Sequence, residues 1–274
     1  MTSLDVKSSD MDGRAGGASQ WMTSASGLGY AVLSFVLLLG FWELVSFSVG
    51  ADVLPGPAES FRAVLESHAE GTLWTDMGIT ALRILGAFAM ALAGSVVAGT
   101  LLGWSPVLER LFGPWVTILA SIPSLLIIIV AYLLVGVNDR GAMVGTAIVV
   151  APSMTYAVWD GMRAISPDLQ EMARAFGLPK NIILRRVLVP QTLPFIFNAA
   201  RTGLSLSWRI MIFVELLGRS TGVGYRVQYF YNIADMQRVV GAALPFIAVM
   251  LAFEFGVIRP IERWVFRWRR KEMR

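Results

Sequence analysis

Six apolar runs alternate with short polar stretches along the chain, at about 28–48, 79–104, 112–136, 141–160, 194–217 and 239–259. Each is near the ~20 residues needed to cross ~30 Å of hydrocarbon. The pattern predicts an all-α polytopic membrane protein with six transmembrane helices. A polar tail, 1–27, precedes the first run and a basic tail, 263–274, follows a membrane domain over 28–262. One polar stretch, 161–193 between the fourth and fifth runs, carries helix signals of its own. Ser166 suits an N-cap, Pro167 the first helical position, and Asp168 the positive end of a helix dipole. Leu169, Met172, Ala173 and Phe176 then repeat at helical spacing, with Gln170, Glu171 and Arg174 on the other side. Gly177 is placed to end the helix in a left-handed turn, and Pro179 opens a second short amphipathic helix. Such a helix-turn-helix between spans is a docking device in outline.

Other segments are legible in the same way. In 49–78, Pro55 and Pro57 break the chain, and Phe61, Val64 and Leu65 form a short interfacial helix that ends near a solvated His68. The second span has a small-residue ridge, Ala87, Ala91, Ser95, Gly99 and Gly103, that lets another helix approach closely. Pro123, inside Ser121-Ile-Pro-Ser124, removes a backbone donor and predicts a kink or break in the third span. The stretch Gly218–Arg226 reads as a re-entrant turn, its glycines letting the backbone fold back.

Charge fixes the expected orientation. With the N-terminus in the cytoplasm, cytoplasmic segments hold fourteen Lys and Arg and outer loops five, as the positive-inside rule requires. Both termini and 161–193 are therefore expected inside. Composition agrees: 55% of the 274 residues are hydrophobic and 15% charged, with mean hydropathy +0.63. A soluble domain carries about 25% charged residues. The net charge of +4 then reflects topology and lipid contact rather than nucleic-acid binding. The chain has no cysteine and one histidine, which leaves no basis for a thiolate site or a histidine metal cluster.

The candidate chemistry lies in the fifth span. Asn198, Arg201, Ser205 and Arg209 form one stripe at spacings of three and four. Charges within a membrane usually face a bundle interior or a wet cavity. Arg209 is the main pathway candidate, in a pathway wall or an ion pair, with Ser121, Ser124 and Ser205 as neutral hydrogen-bond partners; Arg201 is close enough to the inner end to snorkel. Arg83 and Glu215 fall at similar depth in spans two and five and are a candidate ion pair. No Gly-Lys dipeptide is present, so no phosphate-binding loop of the GxxxxGK[ST] type exists. No pair of carboxylates suits acid–base chemistry, and no catalytic or metal-binding residue is expected. Energy for transport would come from an ion gradient or from another chain.

Residues 171–190 resemble the cytoplasmic EAA motif of ABC importer permeases, the binding-protein-dependent transport family. Glu171-Met172-Ala173 is followed after three residues by Gly177, and after nine more by Val187-Leu188-Val189-Pro190. Met172 replaces the motif's first alanine. Leu54-Pro-Gly-Pro, the Ser-Ile-Pro-Ser of span three and the block from Trp208 through Glu215-Leu-Leu-Gly to Gly222-Val-Gly-Tyr are similar to the nitrate, taurine and alkanesulfonate branch. Where members of the family carry Phe-Gly-x-Gly, this chain has Leu134-Val-Gly136-Val-Asn138-Asp139.

The resemblance implies a type I importer in a bacterial inner membrane. Two identical permease chains would form the pathway for a small anionic solute, a sulfonate, taurine or nitrate-like compound. A dimer of ATPase subunits would hold the ATP and magnesium, with no cofactor in this chain, and an extracytoplasmic solute-binding protein would deliver substrate. Residues 166–177 would be the coupling helix seated on the ATPase, through Leu169, Glu171, Met172, Ala173, Arg174, Phe176, Gly177 and Pro179. Two alternatives stay open: a stand-alone ion-coupled secondary transporter, and a permease of the same family for a vitamin precursor or other organic solute.

Overall fold

The computed structural model describes residues 25–164 and 189–260, and between them 172, 175–177, 179 and 182. The expected tails, and Leu169, Glu171, Ala173 and Arg174 of the expected coupling helix, lie outside the described residues. The described residues contain helix and no strand. Nine helices are labelled here: α1 (Ala25–Val49), α2 (Pro57–Ala69), α3 (Thr72–Trp104), α4 (Pro106–Ser121), α5 (Ser124–Val135), α6 (Asp139–Arg163), α7 (Val189–Gly218), α8 (Val223–Asn232) and α9 (Met236–Phe253). A π-helical turn, Glu254–Ile258, continues α9.

The chain divides into two units, 1–61 and 62–274. In the first, the turn after α1 is tied back to the helix. Trp42 Nε1 donates to the Pro55 carbonyl at 3.1 Å and Ser46 Oγ to the Leu54 carbonyl at 2.8 Å. These bonds satisfy carbonyls that Pro55 and Pro57 keep out of any regular ladder. The expected interfacial helix is α2, with Phe61 and Leu65 exposed. His68 is not simply solvated: it is exposed, but its Nδ1 accepts from Trp74 Nε1 at 2.8 Å.

In the second unit α3, α6 and α7 pack on one another. The small-residue ridge of α3 supplies the reason. Ala87, Ala91, Ser95 and Gly99 are buried, and Ser95 Oγ donates to the Ala151 carbonyl of α6 at 2.9 Å. A Cβ on Gly99 would come 2.9 Å from the Thr155 carbonyl and 2.7 Å from Val158 Cβ. The two backbones are as close as glycine permits, the packing that holds helices together in lipid. Two aliphatic clusters flank the seam, one including Ile84, Ile128, Met211 and Val214, the other Ala91, Val150, Met154 and Val158.

The single span expected over 112–136 is instead two helices, α4 and α5, bent by 102°. Pro123 dictates the break. It has no N–H for the preceding turn, and it pushes Ile122 to an extended backbone, φ −70° and ψ 130°. A proline alone allows a gentler kink; the sharp bend follows from packing. α5 lies against α6, and Tyr132 donates to the Val214 carbonyl of α7 at 2.8 Å. α4 is held to α6 by the Glu109–Arg163 ion pair and by a 2.6 Å hydrogen bond between Thr117 and Tyr156. The crook of the bend is an apolar groove of about 260 Å³.

By length and apolarity, four described helical segments can cross a membrane, or five if the bent pair counts as one span. The chain is a multi-pass membrane protein. The stretch expected to be a re-entrant turn is only partly so: Gly218–Gly222 turns, and α8 begins at Val223. Replacing Gly99 by Val puts two methyl groups into the α3–α6 seam. The variant is expected to be destabilised by about 1–3 kcal/mol, read as a lower unfolding midpoint in detergent; unchanged stability contradicts the described seam.

Candidate functional site

A knot of buried polar side chains ties the beginnings of α3, α6 and α8 to the end of α7. Arg83 of α3 is 3% exposed and Glu215 of α7 fully buried. Arg83 Nη1 donates to Glu215 Oε1 at 2.6 Å, so the two residues matched by depth in the sequence are joined directly. The rest of the guanidinium is also engaged. It donates to Asp139 at 2.8 Å through Nε, and to the carbonyl and hydroxyl of Thr221 at 2.7 Å each. The planar fork of arginine suits this better than a lysine ammonium could.

Glu215 has two further donors. Thr80 Oγ1 lies 3.0 and 2.9 Å from its two oxygens, and the Gly224 N–H donates at 2.9 Å. The carboxylate therefore sits at the N-terminus of α8, where unpaired N–H groups and the helix dipole favour an anion. Asp76 and Thr80 accept from the neighbouring Gly222 and Val223 N–H groups, at 3.1 and 2.9 Å. Asp76 also accepts from Arg226 Nε at 2.6 Å. Gly222 and Gly224 make the approach possible. Gly222 has φ 101°, and a Cβ there would fall 2.5 Å from Glu215 Oε1. At Gly224 it would fall 2.6 Å from Glu215 Cβ. This centre positions helices, and its charges are matched by partners on neighbouring elements.

The second polar centre is open. On α7, Arg201 Nη2 lies 3.4 Å from Glu254 Oε1 and Ser205 Oγ donates to Glu254 Oε2 at 3.2 Å. Asn198 and Thr202 are exposed on the same helix, as is Arg209. Among the described residues the Arg209 guanidinium has no hydrogen bond or ion pair. Ser121 and Ser124 flank the α4–α5 break, and Ser121 Oγ donates to the Thr117 carbonyl at 2.8 Å. No hydrogen bond joins that pair of serines to Ser205 or Arg209 among the described residues. The four pathway candidates therefore occupy two places.

Between α6 and α7, the Phe176 N–H donates to the Met172 carbonyl at 3.0 Å, a helical bond. Gly177 follows with φ 66°. Met172 and Phe176 are 51% and 76% exposed, and Gly177 and Pro179 are exposed as well. Apolar side chains of a helical turn thus project from the chain immediately before a left-handed glycine.

Residues 69–259 match the family described as the binding-protein-dependent transport system inner membrane component. The chain belongs to this family. It is 28% identical over 246 residues to an ABC transporter permease protein of Brucella abortus, covering 90% of this chain and 98% of that one. It is 24% identical to an aliphatic sulfonates transport permease protein of Bacillus subtilis over 235 residues, 85% of each chain. A nitrate import permease protein of Synechococcus elongatus is 23% identical over 211 residues, 73% of this chain and 76% of that one. The fold resembles that of a chain from a methionine ABC transporter with TM-score 0.57, at 23% identity, over 72% of this chain and 95% of that chain. The permease is thus an ABC importer subunit of the nitrate, taurine and sulfonate branch. Subunits of this kind work with an ATPase and a binding protein and are not enzymes themselves.

Asp76, Thr80, Asp139, Thr221 and Glu254 were not singled out by sequence. Each is a lone polar residue whose partner is distant in the chain; only matched depth, the signal that paired Arg83 with Glu215, points toward such contacts. Truncating Glu215 to Ala strands Arg83 and is expected to cost the permease about 3–5 kcal/mol, measured by unfolding in detergent. Replacing both, by Arg83→Met with Glu215→Leu, should cost less than the two single changes added together.

Proposed function

We propose that the permease forms the pathway of a six-span importer, as one of two identical chains, and is driven by a separate ATPase docked on residues 166–190. The exposed apolar turn at Met172 and Phe176, ended by Gly177, carries this reading. Exposed apolar side chains on a polar connecting segment call for a protein partner. The segment's spacing is that of the coupling motif, and Leu169, Glu171, Ala173, Arg174 and Pro179 complete the docking surface. The six spans are α1, α3, the α4–α5 pair, α6, α7 and α9. α7 is too polar to be read as a span by apolarity alone, but its 30 residues extend about 45 Å, and its polar positions suit a pathway wall. The distribution of basic residues supports both termini on the ATPase side.

The solute in this reading is a small anion of the sulfonate, taurine or nitrate kind. Arg209 supports it as an exposed guanidinium on α7 without a partner among the described residues, in the class of residue that marks ion and substrate routes through membranes. Ser121, Ser124 and Ser205 supply neutral hydrogen-bonding groups. The accompanying binding protein sets most of the specificity, and the permease passes the solute on without holding it tightly.

Copurification separates an ATP-driven importer from a self-sufficient transporter. Tagged wild-type chain should retain an ATPase subunit, and Gly177→Asp or Ala173→Glu should lose it while the chain still inserts. Full uptake with no ATPase present overturns the proposal. In the assembled transporter, uptake of nitrate, taurine and alkanesulfonates should identify the solute, and Arg209→Gln should lower uptake of that solute about tenfold or more, the loss expected for one charged hydrogen-bonding partner.

A further inference from the structure

Glu254 opens the π-helical turn that continues α9, and such turns recur at functional sites. It is an acidic side chain at the end of an apolar helix, where burial of an unneeded charge is costly. Its side chain is 26% exposed. Its contacts to Arg201 and Ser205, at 3.4 and 3.2 Å, are longer than the roughly 2.7–2.9 Å of strong charge-assisted bonds between nitrogen and oxygen. The Arg83–Glu215 contact, by contrast, is 2.6 Å and dry. One pair is short and buried; the other is longer and partly exposed.

Arg201, Ser205 and Arg209 lie on one side of α7 at steps of four residues, so Arg209 and Arg201 are about 12 Å apart along the axis. A small oxyanion leaving Arg209 would next meet a guanidinium already facing a carboxylate. That carboxylate has the same charge as the solute and a similar set of acceptor oxygens.

We infer that Glu254 is a built-in competitor for the transported anion at Arg201. The inference rests on the proposed anion pathway along α7. Glu254 holds Arg201 when no solute is present, yields to the arriving oxyanion, and then displaces it. Two uncontested arginines would retain an anion. A tethered carboxylate, always at hand, keeps the affinity low and release fast. Glu254 acts through Arg201 and is a positioning residue of the route.

The test uses the full permease copurified with its ATPase in nanodiscs, with labelled nitrate and labelled methanesulfonate as probes. Binding is measured at equilibrium, and uptake into proteoliposomes with ATP and the binding protein. Glu254→Gln should bind the transported probe about fivefold more tightly, the upper range for a solvent-accessible ion pair, and should transport it more slowly. Adding Arg201→Gln should abolish the gain in affinity. Glu254→Asp, which keeps the charge but shortens its reach toward Arg201, should shift affinity in the same direction by less. It also provides the readout if Glu254→Gln does not assemble. A purely structural counter-ion predicts weaker or unchanged anion binding in both variants. That result, with ATP-driven uptake of a probe intact in the wild type, overturns the inference alone. Wild-type transporter that moves neither anion overturns the anion pathway itself, and the inference with it.

Discussion

A buried guanidinium has to be matched on every side, and Arg83 is matched by groups from three other places in the chain. Glu215 comes from the end of α7, Asp139 from the start of α6, and Thr221 from the turn before α8. Removing Glu215 leaves a charge unsatisfied at a contact buried from solvent. The network therefore acts as a coordinate origin for this end of the second unit. The first N–H groups of α8 are satisfied by Asp76, Thr80 and Glu215, so the start of α8 is defined by the same residues. A hydrophobic cluster of equal volume could hold these helices together. It would not fix their rotation as tightly, because apolar contact is non-directional and the arginine fork is not.

The same two residue types, arginine and glutamate, form the Arg201–Glu254 pair, and the surroundings make the two pairs behave differently. At Glu215 every acceptor is saturated, and glycine brings backbone donors within reach. At Glu254 the carboxylate is partly exposed and its contacts are longer. Low dielectric strengthens the first pair, and the longer contacts leave the second weaker. The first therefore suits a fixed frame, the second an exchange of partners.

The parts of the fold visible in the sequence were those with local periodicity. The small-residue ridge of α3, the interfacial helix α2 and the left-handed Gly177 each follow from spacing within a few residues. Pro123 announced a break, but its 102° angle comes from α5 packing on α6 and from the Tyr132–Val214 bond, which no local pattern contains. α8 was hidden because the glycines of 218–224 signal a turn, while the Val, Tyr and Phe that follow are weak helix formers. Arg83 and Glu215 could be paired by matching depth. Asp76, Thr80 and Asp139 could not, since one polar residue at a helix end has many possible partners. Glu254 disappeared into its apolar surroundings, as any single acid does when hydropathy is averaged over a span. The segment bearing the family motif was read by spacing alone, and most of its expected contacts lie outside the described residues.

The bend at Pro123 constrains what can surround it. The helices that meet there, of 16 and 12 residues, are about 24 and 18 Å long, and neither alone matches the ~30 Å thickness of a hydrocarbon layer. Pro123 has no N–H to offer the Leu119 carbonyl, so the elbow carries a backbone oxygen that a straight helix would have paired. Such an oxygen at membrane depth is tolerated only beside protein or water. The elbow at Pro123 therefore belongs against protein or water, and lipid is excluded from it.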